Sequence, residues 1–184
     1  MDESDYPETQ PDEPEGQEDQ EGQEVPSPDD FPEEVIEDFD AGPGKIKVES
    51  MTAMVLRLAV SDKIKLALIG NKEARGLLIK ESNKVVVKNV LENPRVTDDE
   101  IISYAGNKNL PGEVTRIIAS KKKFLKAFKV RCALVRNPKT PVPNVLKIMP
   151  ALPEHELRTL ARSTAVTNIV KITARRILTL RGKA

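Results

Sequence analysis

VVKNVLENPRVTDDEII (86–102) and VRCALVRNPKTPVPNVL (130–146) carry one pattern twice, 44 residues apart. Val86, Val90, Leu91, Asn93, Pro94, Arg95, Ile101 and Ile102 are matched by Val130, Leu134, Val135, Asn137, Pro138, Lys139, Val145 and Leu146. Each copy reads as an apolar helical stripe, an Asn-Pro stop, a basic residue, and a new helix opening after Thr97 or Thr140. The residue before a proline is pushed out of the helical region, and proline has no amide to give the preceding turn, so the helix ends there. The asparagine amide is then left to tie carbonyls at the turn. Self-similarity of this length marks stacked helical units, none of which can bury its apolar face alone.

Signals outward from this core are also helical. Gly70-Asn71 ends an earlier helix 22 residues before Asn93. Thr97-Asp98-Asp99-Glu100 is a capping box, in which the threonine oxygen and the glutamate side chain each satisfy an amide with no helical partner. Val85-Val86-Val87 has strand composition, but Lys88-Asn89 breaks the alternation and the matching segment is helix-like. Lys121 to Arg136 reads as the longest and most basic helix, with Phe124, Leu125, Phe128, Cys132 and Val135 on its apolar side. Prolines 111, 141 and 153 suit helix starts. Glu100, Ile101, Ala105, Leu110 and Val114 recur as Glu156, Leu157, Ala161, Val166 and Val170 at an offset of 56, so loop lengths vary between units.

With Asn93-Pro94 and Asn137-Pro138 between short helices, residues 53 to 180 resemble bacterial HEAT-like and leucine-rich-repeat-variant solenoids. The resemblance implies an all-α, right-handed superhelical stack of nine or ten short helices, of the HEAT/armadillo type, serving as a scaffold that holds partners on a concave surface.

The charge distribution divides the chain. Residues 1–44 hold 18 acidic residues and no lysine or arginine; residues 45–184 hold all 29 basic residues and 11 acids. The formal neutrality of the chain is therefore a sum of about −18 and +18. Residues 1–44 have too little apolar surface to offset the entropy of ordering and read as a disordered acidic tail, followed by a helical domain over 45–184. One stretch of the tail, 30–40, places Phe31, Val35, Ile36 and Phe39 at helical spacing. It is either a scatter of apolar residues or a short helix that anchors a partner.

The residues offer little catalytic chemistry. One histidine, His155, rules out a His-pair metal site, and no glycine-rich phosphate loop is present. The single cysteine permits no intramolecular disulfide and its spacing is that of a packing residue. No cofactor or metal is expected. The acidic start is no secretory signal, and no apolar run approaches the roughly 20 residues of a membrane span, so the expected compartment is the cytoplasm.

The remaining signal is basic. Lys121, Lys122, Lys123, Lys126, Lys129, Arg131, Arg136 and Lys139, continued by Arg158 and Arg162, make either a solvated face or an anion-binding one. Two functions follow from it. The first is a non-enzymatic protein-interaction scaffold whose partner is acidic or phosphorylated. The second is sequence-independent nucleic-acid binding, autoinhibited by the acidic tail.

Overall fold

A computed structural model describes residues 27–37 and 45–182, the side chains of 45–50 excepted. All regular structure among these residues is helical: twelve α-helices, two 3-10 turns and no strand. The helices are α1 (Glu33–Ile36), α2 (Lys45–Arg57), α3 (Val60–Ile69), α4 (Lys72–Leu78), α5 (Lys84–Glu92) and α6 (Asp98–Gly106). They continue as α7 (Gly112–Ser120), α8 (Lys122–Leu125), α9 (Phe128–Arg136), α10 (Val142–Ile148), α11 (Glu154–Arg162) and α12 (Asn168–Leu180).

Local chemistry sets most helix ends. Thr97 Oγ1 accepts from the Glu100 amide at 3.3 Å, and the Thr97 amide donates to Glu100 Oε2 at 3.0 Å, which is the capping box. Asn83 Oδ1 accepts from the Val85 amide at 2.9 Å and opens α5, so the valine triplet is helical. Pro111, Pro141 and Pro153 occupy the caps of α7, α10 and α11. Thr140 does not start α10; its hydroxyl donates back to Leu134 O at 2.7 Å and closes the preceding helix.

The helices pack in two rows. In the first, α1 meets α3, α3 meets α5, α5 meets α7, α7 meets α10, and α10 meets α12. In the second, α2 meets α4 and α6 meets α9; ion pairs from Arg75 to Glu100 and from Arg136 to Glu156 join α4 to α6 and α9 to α11. A core mostly of Leu, Ile, Val and Ala lies between the rows, including Leu66, Val86, Val90, Ile101, Ile118, Leu134, Leu157 and Leu160, with Met149 among them. Burial of this apolar surface is the main favourable contribution to the fold.

Asparagines join successive helices of a row. Asn93 Nδ2, after α5, donates to Ala67 O at 3.0 Å and Gly70 O at 3.2 Å, the carbonyl end of α3. Asn137 Nδ2, after α9, donates to Ala105 O at 2.8 Å and Asn107 O at 3.3 Å, the carbonyl end of α6. Asn71, after α3, reaches Glu34 O and Glu37 O at 2.8 Å each, the end of α1. The basic residue of each repeated unit reaches back as well, Arg95 to Ile36 O and Lys139 to Leu110 O. The last carbonyls of a helix lack intrahelical donors, and here the next helix of the row supplies them.

Three expectations need correction. The order of the fold begins before residue 45: residues 27–37 pack onto α3 and α4, because Asn71 satisfies their backbone and the core accepts Val35 and Ile36. The basic segment 121–136 is two helices. Ala127 is extended (φ −70°, ψ 121°), and Arg131 Nη1 donates to Leu125 O at 2.7 Å and Lys126 O at 3.2 Å, supplying the carbonyls that the break leaves open. The longest described helices are instead α2 and α12, each of 13 residues.

Candidate protein-interaction surface

The sequence's candidate anchor is used within the chain. Val35 and Ile36 are buried in the core and Phe31 packs against it, so these side chains are not offered to a partner. Phe39 lies outside the described residues. The same apolar spacing serves docking in cis or in trans, and Asn71 selects cis.

The basic candidates separate into two groups. Lys121 pairs with Glu92 at 2.6 Å, Arg136 with Glu156, and Arg158 with Glu154 at 2.8 Å. Arg131 Nη1 and Lys139 Nζ donate to backbone carbonyls, and Arg131 Nε is buried without a hydrogen-bond partner among the described residues. Lys122, Lys123, Lys126, Lys129 and Arg162 are exposed and make no ion pair among the described residues, although Lys123 Nζ sits 4.7 Å from the centroid of its neighbour Phe124. The ten candidates thus do not form one free anion-binding face.

Row membership organises the surface better than chain position does. Of the exposed large apolar residues, Val60, Val85, Val142, Leu146, Ile169, Ile172 and Leu180 all belong to first-row helices; Leu56 and Phe128 are the others. On α12 the stripe Ile169, Ile172, Arg176, Leu180 faces outward at helical spacing, with Ile172 64% and Leu180 78% exposed, opposite the buried Val170, Ala174 and Leu178. From α5 to α12 the first-row helices carry Lys84, Lys88, Arg116, Lys147, Lys171, Arg175 and Arg176 against two acids. Both acids are engaged: Glu113 accepts from Arg116 at 3.0 and 2.8 Å, and Glu92 accepts from Lys121. The Lys121 hydrogen bond, aided by the charges of Lys121, Lys88 and Lys123, outweighs burial and holds the Glu92 carboxyl below the usual carboxylate range. The second row sets Glu73, Asp98, Asp99, Glu100, Glu154 and Glu156 beside its cations, although α9 itself carries Lys129, Arg131 and Arg136 and no acid.

Between α5 and α7 an open groove of about 470 Å³ has Val85 and Ile117 among its lining, with Lys84, Lys88, Arg116 and Lys121 around them. Beneath the turns, sequence reasoning missed a buried ion pair. Arg75 Nε and Nη2 donate to the two carboxylate oxygens of Glu100 at 3.0 and 2.9 Å, with Arg75 2% and Glu100 6% exposed. Burial raises the cost of ionising Glu100, but hydrogen bonds from Arg75 and Thr97 outweigh it and keep its carboxyl below the usual range. The pair holds α4 against α6 and so fixes the turns from which α5 and α7 project. Its only outward sign in the sequence is an arginine within an otherwise apolar stretch, Ala74 to Ile79.

No reactive constellation accompanies this surface. Cys132 is buried, and that burial, together with Glu156, pushes its thiol up. His155 is exposed beside Phe128, with ring centroids 6.4 Å apart. No group of His, Cys, Asp and Glu suited to a metal ion occurs among the described residues, and none of their helices is long and apolar enough to cross a membrane. Comparison with protein-family models, with curated proteins and with solved structures finds no match.

Proposed function

We propose that the chain is a non-enzymatic interaction scaffold: a right-handed HEAT/armadillo-type solenoid whose first-row surface holds an acidic, partly apolar segment of another protein. One observation carries this reading, the gathering of exposed aliphatic side chains and unbalanced cations on the same row. Aliphatic side chains favour a partner that brings its own apolar residues, since burial contributes about 25 cal/mol per Å² of apolar surface. The cations favour acidic residues around them and speed the encounter. A nucleic-acid duplex would use the cations and leave Ile169, Ile172 and Leu180 in water, which is the reason to rank that reading second.

The test uses the full chain, a fluorescent helical peptide with glutamates on one face and leucines on the other, and a DNA duplex of equal charge. Binding of the peptide should exceed that of the duplex. Ile172→Asp and Arg176→Glu, both exposed changes, should each weaken the peptide by about tenfold, the equivalent of 1.4 kcal/mol. Tighter binding of the duplex, unaffected by Ile172→Asp, overturns the proposal in favour of nucleic acid.

A further inference from the structure

The groove between α5 and α7 is a concave, basic-edged part of the first-row surface, and the chain itself carries a segment suited to it. We propose that residues 1–26 of the same chain occupy this groove, laying their carboxylates against Lys84, Lys88 and the cations beyond the groove's edge, and that an acidic partner must displace them. The inference rests on the scaffold reading for its consequence, but the contact stands or falls separately.

Three observations converge. The first is charge. Glu113 and Glu92 neutralise Arg116 and Lys121, which leaves Lys84 and Lys88 in the groove without an ion pair among the described residues. Exposed Lys122 and Lys123 follow directly on Lys121. Residues 1–26 contain 11 acids and no lysine or arginine. The second is position. Ser27 to Glu37 is fixed on α3 and α4 by Asn71, so the acidic segment leaves the fold from the first-row end that leads through α3 to α5 and α7. The third is length. Neighbouring helices lie about 8–10 Å apart, so the groove is roughly 25 Å from α1. A 26-residue segment can span at most about 90 Å, ample for the crossing.

Tethering makes the contact effective although each surface ion pair is weak. Single exposed pairs contribute about 0–1 kcal/mol and are screened by salt. A tethered segment is presented at an effective concentration in about the mM range, so several weak pairs suffice to compete with a free ligand. The groove is then a site where an acidic partner meets an internal competitor, while the apolar stripe of α12 stays open.

Carbodiimide coupling joins carboxylates to lysines only when they touch, and mass spectrometry of the monomer identifies the pairs. The full chain is used, and the Lys121–Glu92 link, whose atoms lie 2.6 Å apart, serves as the internal control. At low salt the acids of residues 1–26 should couple to Lys84, Lys88, Lys122 or Lys123 within one chain, and these links should fade at high salt while the control persists. Lys84→Glu with Lys88→Glu should remove them and leave thermal stability unchanged, since both side chains are exposed. Links spread evenly over Lys147, Lys171 and Lys129 would overturn the assignment, as would links found only in a cross-linked dimer, which would place a second copy's segment in the groove. Because this readout involves no external peptide, its failure is distinct from failure of the scaffold reading.

Discussion

Replacing Arg75 by methionine tests the reasoning about the buried ion pair most directly. Methionine keeps the length and the apolar stem but removes the guanidinium. Glu100 would keep its contacts with Thr97 and with Tyr104 OH at 3.3 Å, yet lose both Arg75 hydrogen bonds and, among the described residues, the only opposing charge that bonds it. Gly70 O would still accept from Asn93 Nδ2, and the one carbonyl bond lost outright is the long 3.3 Å contact to Arg95 O, so the main loss is electrostatic. Removing one partner of a buried pair costs about 3–5 kcal/mol, because the other charge stays out of water without compensation. For a domain of this size each kcal/mol moves Tm by about 2–4 °C, so Tm should fall by roughly 10 °C. Urea and thermal unfolding followed by circular dichroism measure both quantities. Adding Glu100→Gln should recover part of the loss, since the orphaned charge is then gone. The acid limb gives a second readout. The folded-state pKa of Glu100 is depressed, so its stabilisation is complete above the ordinary carboxylate pKa and is lost as pH falls through the depressed value. Arg75→Met should flatten that limb. A stability loss below about 1 kcal/mol would place the pair among exposed ones and refute the argument.

Two further outcomes follow from the geometry. Asn71→Ala removes both side-chain bonds to the end of α1 and the cap on Ala74, so amide exchange over 33–37 should speed while α9 to α12 keep their protection; unchanged exchange at 33–37 would show that Val35 and Ile36 hold the segment unaided. Burial raises the Cys132 thiol, so its thiolate fraction at mildly alkaline pH lies below that of free cysteine, and a disulfide reagent should react slowly in native buffer and rapidly in urea. Equal rates in the two conditions would contradict its placement.

The helices were legible in the sequence wherever their causes are local. Asn93-Pro94, Asn137-Pro138 and the Thr97–Glu100 box act within a few residues, and the structure places helix ends at each. What depends on distant partners was not legible. Arg75 meets Glu100 across 25 residues, and nothing near either names the other. The break at Ala127 contains neither glycine nor proline; the donor that satisfies it, Arg131, looked like a surface cation. The candidate site failed in the same way. Counting cations located basicity along 121–139, whereas pairing and row membership moved the unbalanced first-row charge toward α5, α10 and α12.

The backward reach of Asn71, Asn93 and Asn137 makes unequal demands on the two sides of each joint. One side must be an asparagine at a fixed place after a helix; the other is only main-chain carbonyl, which every helix end presents whatever its side chains. A unit bearing its own asparagine can therefore be set behind almost any helix end without a matching change in the unit it follows. That tolerance accounts for joints at offsets of 22 and 44 residues built with the same atoms. At α12 the chain closes its own helix end instead: the Arg181 amide donates to Ile177 O and Leu178 O, and the Gly182 amide to Thr179 O.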